Sequence, residues 1–169
     1  MHCIINFQSE SIMGNNNSKE PNNFDKEKIT VELIKELWSK TYNTEGRPDW
    51  SHILPYYDTN IYFRDSVQEI HGIEPFKAMT ERLTMRSKDL KMNIVNASMS
   101  ENIIFIEWEM TLSFKKYPSS ILYGTSRLTI SREGKIAEQR DYYDLWGDIF
   151  DNIPRFGKMY RKFMKKKFG

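Results

Sequence analysis

The chain has 169 residues, 39% hydrophobic and 14% aromatic, enough for one core and too apolar for a wholly disordered chain. A mean hydropathy of −0.65, with no apolar run near the roughly 20 residues that cross a bilayer, argues against a transmembrane protein. The lone Cys3 and the scattered His2, His52 and His71 argue against a disulfide framework or a Cys- or His-built metal site.

The net charge of +2 is uneven. Residues 155–169 hold seven basic side chains and no acid, which leaves 18 basic against 23 acidic residues elsewhere. The body therefore has no cationic footprint for nucleic acid. The opening HCIINF has neither a basic n-region nor a small-residue cleavage site, so a soluble, cytoplasmic protein is expected.

Residues 1–24, Asn-rich and without periodicity, are expected to be a disordered tail. Within it, Met13-Gly14 followed by Ser18 fits a myristoylation pattern if translation starts at Met13; the alternative is a plain Asn-rich leader. Ile29, Leu33, Ile34, Leu37 and Trp38 recur at helical spacing and predict an amphipathic helix over 26–42. Asp49 is a candidate N-cap for a short helix over 50–57. Ile61-Tyr62-Phe63 and Glu69-Ile70-His71-Gly72 predict a hairpin, and Pro75 opens a helix that runs to about Arg86.

Strands are predicted over 92–99, 103–114, 122–131 and 135–145, with Glu133-Gly134 as the turn between the last two. Helices followed by a meander imply an α+β layer, with helices on one face of a curved antiparallel sheet. After Asp148, Ile149, Phe150, Ile153, Phe156, Met159, Tyr160, Phe163 and Met164 recur at helical spacing opposite a basic face, and Pro154 divides this extension. It either docks on its own domain or a partner subunit, or lies on a membrane surface through residues 155–167. Docking is expected for its first half, to about Tyr160. The organisation expected is thus a tail over 1–24, a domain over 25–147 and a basic amphipathic helical extension over 148–169.

Three stretches carry a resemblance: Tyr57-Asp58 through Phe63-Arg64-Asp65 to His71-Gly72; Gly124-x-Ser126-x-Leu128-x-Ile130; and Gly134-Lys135-Ile136 followed by Arg140-Asp141-Tyr142-Tyr143-Asp144. Together they resemble the nuclear transport factor 2-like superfamily, which holds SnoaL-like polyketide cyclases, ketosteroid isomerase and limonene-1,2-epoxide hydrolase. The resemblance implies a cone-shaped, cystatin-like fold with a pocket between the helices and the concave sheet, usually in a homodimer. It implies no single reaction, because this fold hosts enzymes, binding modules and transport factors.

Asp65 matches the position of the isomerase's catalytic base; equally, it suits an Asx turn over Ser66 to Gln68. Ser126 stands where the isomerase's second aspartate would be, and Trp38 or Tyr42 is nearest to its tyrosine. Asp141 matches one carboxylate of the hydrolase, and counting back places the hydrolase's Arg-x-Asp on Glu107-Trp108-Glu109, with Glu107 in place of arginine. Periodicity sends Ile104, Ile106 and Trp108 inward and Glu107 and Glu109 to water, whereas the resemblance aims the glutamates into the pocket and buries the apolar row in a dimer interface.

Asp65, Asp141 and Glu109 are therefore the catalytic candidates. Tyr57, Phe63, His71, Glu107, Ser126 and Tyr143 are the candidate ligand-binding residues, with His71 alternatively a turn histidine. Proton transfers by carboxylates require no metal or organic cofactor. The leading expectation is a small, largely apolar ligand with possible acid-base chemistry of isomerase, cyclase or hydrolase type. The alternative is a non-catalytic ligand-binding or dimeric interaction module.

Overall fold

The computed structural model describes residues 28–42, 47–114 and 119–169. The expected N-terminal tail, its Met13-Gly14 motif and the first residues of the predicted helix lie outside them.

Helix α1 (Val31–Tyr42) buries Ile34, Leu37, Trp38, Thr41 and Tyr42 on one stripe, as its apolar spacing dictates. The predicted helix over 50–57 is instead a bend ending in one 3₁₀ turn, Leu54–Tyr56. Pro55 lacks an N–H and Tyr57 is already extended, so the helix cannot propagate. Strand β1 (Tyr57–Arg64) and the short β2 (Glu69–His71) form the hairpin. Helix α2 (Ile73–Arg86) passes directly into β3 (Ser87–Ser100). That strand begins earlier than its apolar pattern suggests, because the polar Ser87 and Asp89 pair with β4 across a bulge. Strands β4 (Ile103–Phe114), β5 (Ser120–Ile130) and β6 (Ile136–Tyr143) complete a meander.

Among the described residues, six strands form one curved sheet in the order β2-β1-β6-β5-β4-β3. All pairings are antiparallel except β1 with β6, which run parallel. The chain leaves the first hairpin through α2, enters the far edge at β3 and reverses three times before β6 meets β1. Helices α1 and α2 cover the inner face, against β3 and β1 respectively.

Two local features orient the inner face. In β4, Ile104, Ile106 and Trp108 are buried whereas Glu107 and Glu109 are exposed. Between β5 and β6 a register shift leaves Ala137 unmatched, so that Ile136 and Gln139 are both buried despite their odd spacing. This bulge re-phases the rest of β6 and turns Gln139, Asp141 and Tyr143 inward.

Candidate functional site

The three inward residues of β6 reach a cavity of about 210 Å³ between the helices and the sheet. Trp38 and Tyr42 from α1, Trp50 from the following bend, Phe63 from β1, Phe76 from α2 and Trp108 from β4 supply aromatic walls. Met79, Leu83, Met92, Met110, Leu112 and Leu122 add aliphatic surface. Polar side chains line this apolar space as well, among them Asp65, Ser126, Gln139, Asp141 and Tyr143.

Asp141 is held by a directed relay. The Tyr57 hydroxyl donates to Gln139 Oε1 at 2.6 Å, which turns the amide nitrogen toward the carboxylate. Gln139 Nε2 donates to Asp141 Oδ1 at 3.0 Å and to Oδ2 at 3.2 Å. Trp108 Nε1 donates to Ser126 Oγ at 3.0 Å, and the Ser126 hydroxyl donates onward to Asp141 Oδ1 at 2.5 Å. Because the indole can only donate, the serine proton is committed to the aspartate. Among the described residues, Oδ1 thus receives two good donors and Oδ2 a share of one amide.

Burial, the largest influence, pushes the Asp141 carboxyl up to about 6. Hydrogen bonds from Ser126 and Gln139 pull in the other direction, and the Asp65 charge adds to the rise. A carboxyl poised there exchanges its proton near neutral pH. Burial, with the two aspartates, also raises the Tyr143 phenol well above its ordinary value, so it remains a neutral donor.

Asp65 forms the Asx turn read from the sequence and also faces the cavity. Its Oδ1 accepts the Val67 and Gln68 N–H groups at 2.7 and 2.8 Å, an Asx turn, while the Tyr143 hydroxyl donates to Oδ2 at 3.3 Å. Ser126, Phe63 and Tyr143, candidates from the sequence, line the cavity. Tyr57 is buried behind it, where it supports Gln139.

Three candidates fall elsewhere. Glu107 and Glu109 are exposed on the outer face, in a shallow groove with Tyr123, Thr125 and Tyr142. The unbroken alternation of β4 decides this, since Trp108 between them is locked inward on Ser126. His71 is exposed on β2, its ring tilted against that of Tyr62 with centroids 4.8 Å apart. The tryptophan's placement depends on Gly124: a Cβ there would stand 2.3 Å from the Trp108 ring.

Gln139 was missed from the sequence, although it shares the i, i+2, i+4 alternation of Asp141 and Tyr143. Trp108 belongs to the apolar row that periodicity sends to the core and the resemblance to a dimer interface; its donation to Ser126 is not legible in that pattern. Tyr42 also lines the cavity, its phenol raised by burial first and further by the Asp141 and Tyr57 charges. Among the described residues, no group of three or more His, Cys, Asp or Glu side chains could hold a metal ion.

The sequence profile of the SnoaL-like domain matches residues 38–139, which include every member of the relay except Asp141 itself. The chain belongs to the SnoaL-like domain family. Solved structures show the same fold. A protein of ketosteroid isomerase-like fold from Catenulispora acidiphila, solved with trimethylamine, superposes with a TM-score of 0.62 at 16% identity, over 74% of this chain and 94% of its own. A protein provisionally assigned as a SnoaL-like polyketide cyclase, from Jannaschia sp. CCS1, gives 0.61 at 17% identity, over 74% and 91%. An epoxide hydrolase of limonene-hydrolase type from M. tuberculosis gives 0.60 at 14% identity, over 78% and 94%. Curated protein sequences return no match.

Proposed function

We propose that this SnoaL-like domain binds a small, largely apolar molecule in the cavity and that Asp141 transfers a proton to or from it. The observation that carries the reading is a carboxyl pushed up to about 6 inside aromatic walls, with its donors aimed at one oxygen. Oδ2 is the less engaged atom and takes the role of proton carrier. Tyr143 and Asp65 supply a second polar group for orienting the ligand. Among the described residues the buried N–H of Trp50, a cavity-wall residue, has no acceptor, which suits a ligand that carries an oxygen on an otherwise apolar body.

The outward Glu107 and Glu109 provide no counterpart to the hydrolase's Arg-x-Asp pair, which favours isomerase- or cyclase-type proton transfer over epoxide opening. The test is a thermal-shift screen of steroids, polyketides, lipids and epoxides on the wild type, Asp141→Asn and Asp65→Asn, with products of any hit analysed. A ligand turned over by the wild type and bound but unchanged by Asp141→Asn supports the reading. Turnover that survives Asp141→Asn refutes the catalytic assignment and leaves a binding module.

The outer face favours a second, compatible reading, self-association. Phe105, Ile121, Tyr123 and Tyr142 stand exposed there, and an exposed apolar group of this kind suits a homodimer.

A further inference from the structure

Among the described residues, helix α3 (Phe156–Phe168) is tied to the domain chiefly at its first half. Its principal packing is against the residues just before it, a wide helical turn over Leu145–Ile149 and a 3₁₀ turn over Phe150–Asn152. The Trp146 ring stacks on Tyr160 at 5.2 Å and Phe150 packs edge-on to Phe156 at 5.8 Å, while Arg161 pairs with Asp151 at 2.5 Å. Gly157 lies so close to the turn that a Cβ would sit 1.9 Å from the Asp151 carbonyl oxygen. These contacts use only part of the apolar stripe. Met159 and Phe163, one turn apart, are 63% and 53% exposed, Phe168 is 77% exposed, and Trp146 is 46% exposed beside them.

We propose that α3 is a docking element for an anionic lipid surface. Lys158, Lys162, Lys165, Lys166 and Lys167 flank the exposed Met159 and Phe163 and no acid interrupts them, a pairing of shallow apolar burial with cationic headgroup contact. Lysine stems of this length reach headgroups while their methylenes remain at the apolar boundary. A soluble polyanion would use the lysines alone and would leave Phe163 without a role. The proposal stands independently of the cavity's ligand.

The test is flotation of the intact protein with phosphatidylcholine vesicles, with and without about 30% phosphatidylglycerol. The expected result is at least tenfold tighter binding to the anionic vesicles, lost at high salt. Phe163→Glu and the charge reversal of Lys162, Lys165 and Lys166 to Glu should each lower it at least tenfold, with melting temperatures unchanged because these side chains are exposed. Three results would overturn the proposal: no binding to anionic vesicles; binding indifferent to Phe163→Glu, matched by equal capture of soluble polyglutamate; or a dimer that Phe163→Glu dissociates, which assigns the face to a second copy.

Discussion

Asp141→Asn tests the central electrostatic argument. The rise of the carboxyl from the ordinary 3.8 to about 6 corresponds to about 3 kcal/mol, at roughly 1.4 kcal/mol per pH unit. The folded state holds the extra proton between these two values, so the stabilising contribution of Asp141 is fully present below about pH 4 and is lost as pH rises through 6. Asparagine keeps a carbonyl oxygen for Ser126 and Gln139 but has no charge to desolvate. Replacing charged hydrogen bonds by neutral ones offsets part of the gain. The variant is therefore expected to exceed the wild type by about 1–3 kcal/mol near pH 7.5, and the difference should shrink toward zero near pH 4. Denaturant unfolding of both proteins across that range measures it. Parallel stability profiles, or a variant less stable than the wild type at neutral pH, would refute the claim that Asp141 is ionised at a cost to the fold.

Asp65→Asn should leave stability nearly unchanged, because asparagine preserves the Asx turn, but it should lower the Asp141 titration midpoint by removing a neighbouring charge, as read by carboxyl NMR. Gly124→Ala drives a methyl into the Trp108 ring and should cost about 1–3 kcal/mol, with a shift in tryptophan fluorescence. Tyr57→Phe leaves buried Gln139 Oε1 without its donor, a loss of about 1–3 kcal/mol in chemical denaturation. Gly157→Ala should detach α3 from its supporting turn, with faster proteolysis after residue 155 and little change in the melting of the sheet. Sedimentation at micromolar concentration should give a dimer, and Tyr123→Glu on the outer face should shift it toward monomer.

Local patterns in the sequence carry the elements and much of the cavity. The helical spacing of Ile34, Leu37 and Trp38 identifies α1 and its buried stripe. Alternation through 103–114 places Ile104, Ile106 and Trp108 on one face and the glutamates on the other, and the structure follows that period rather than the alignment that aimed the glutamates inward. Asp65, Ser126, Asp141 and Tyr143 were visible as chemistry-bearing residues, but their meeting was not. It depends on the parallel approach of β6 to β1, on the bulge at Ala137 that re-phases Gln139 and Asp141, and on the glycine at 124 that admits Trp108. Such features arise from pairing between strands far apart in the chain, where a one-residue shift exchanges the faces. The Asp141 proton affinity is likewise tertiary: the sequence supplies a carboxyl of ordinary acidity, and only the apolar walls brought together by α1, α2 and the sheet make its charged form costly.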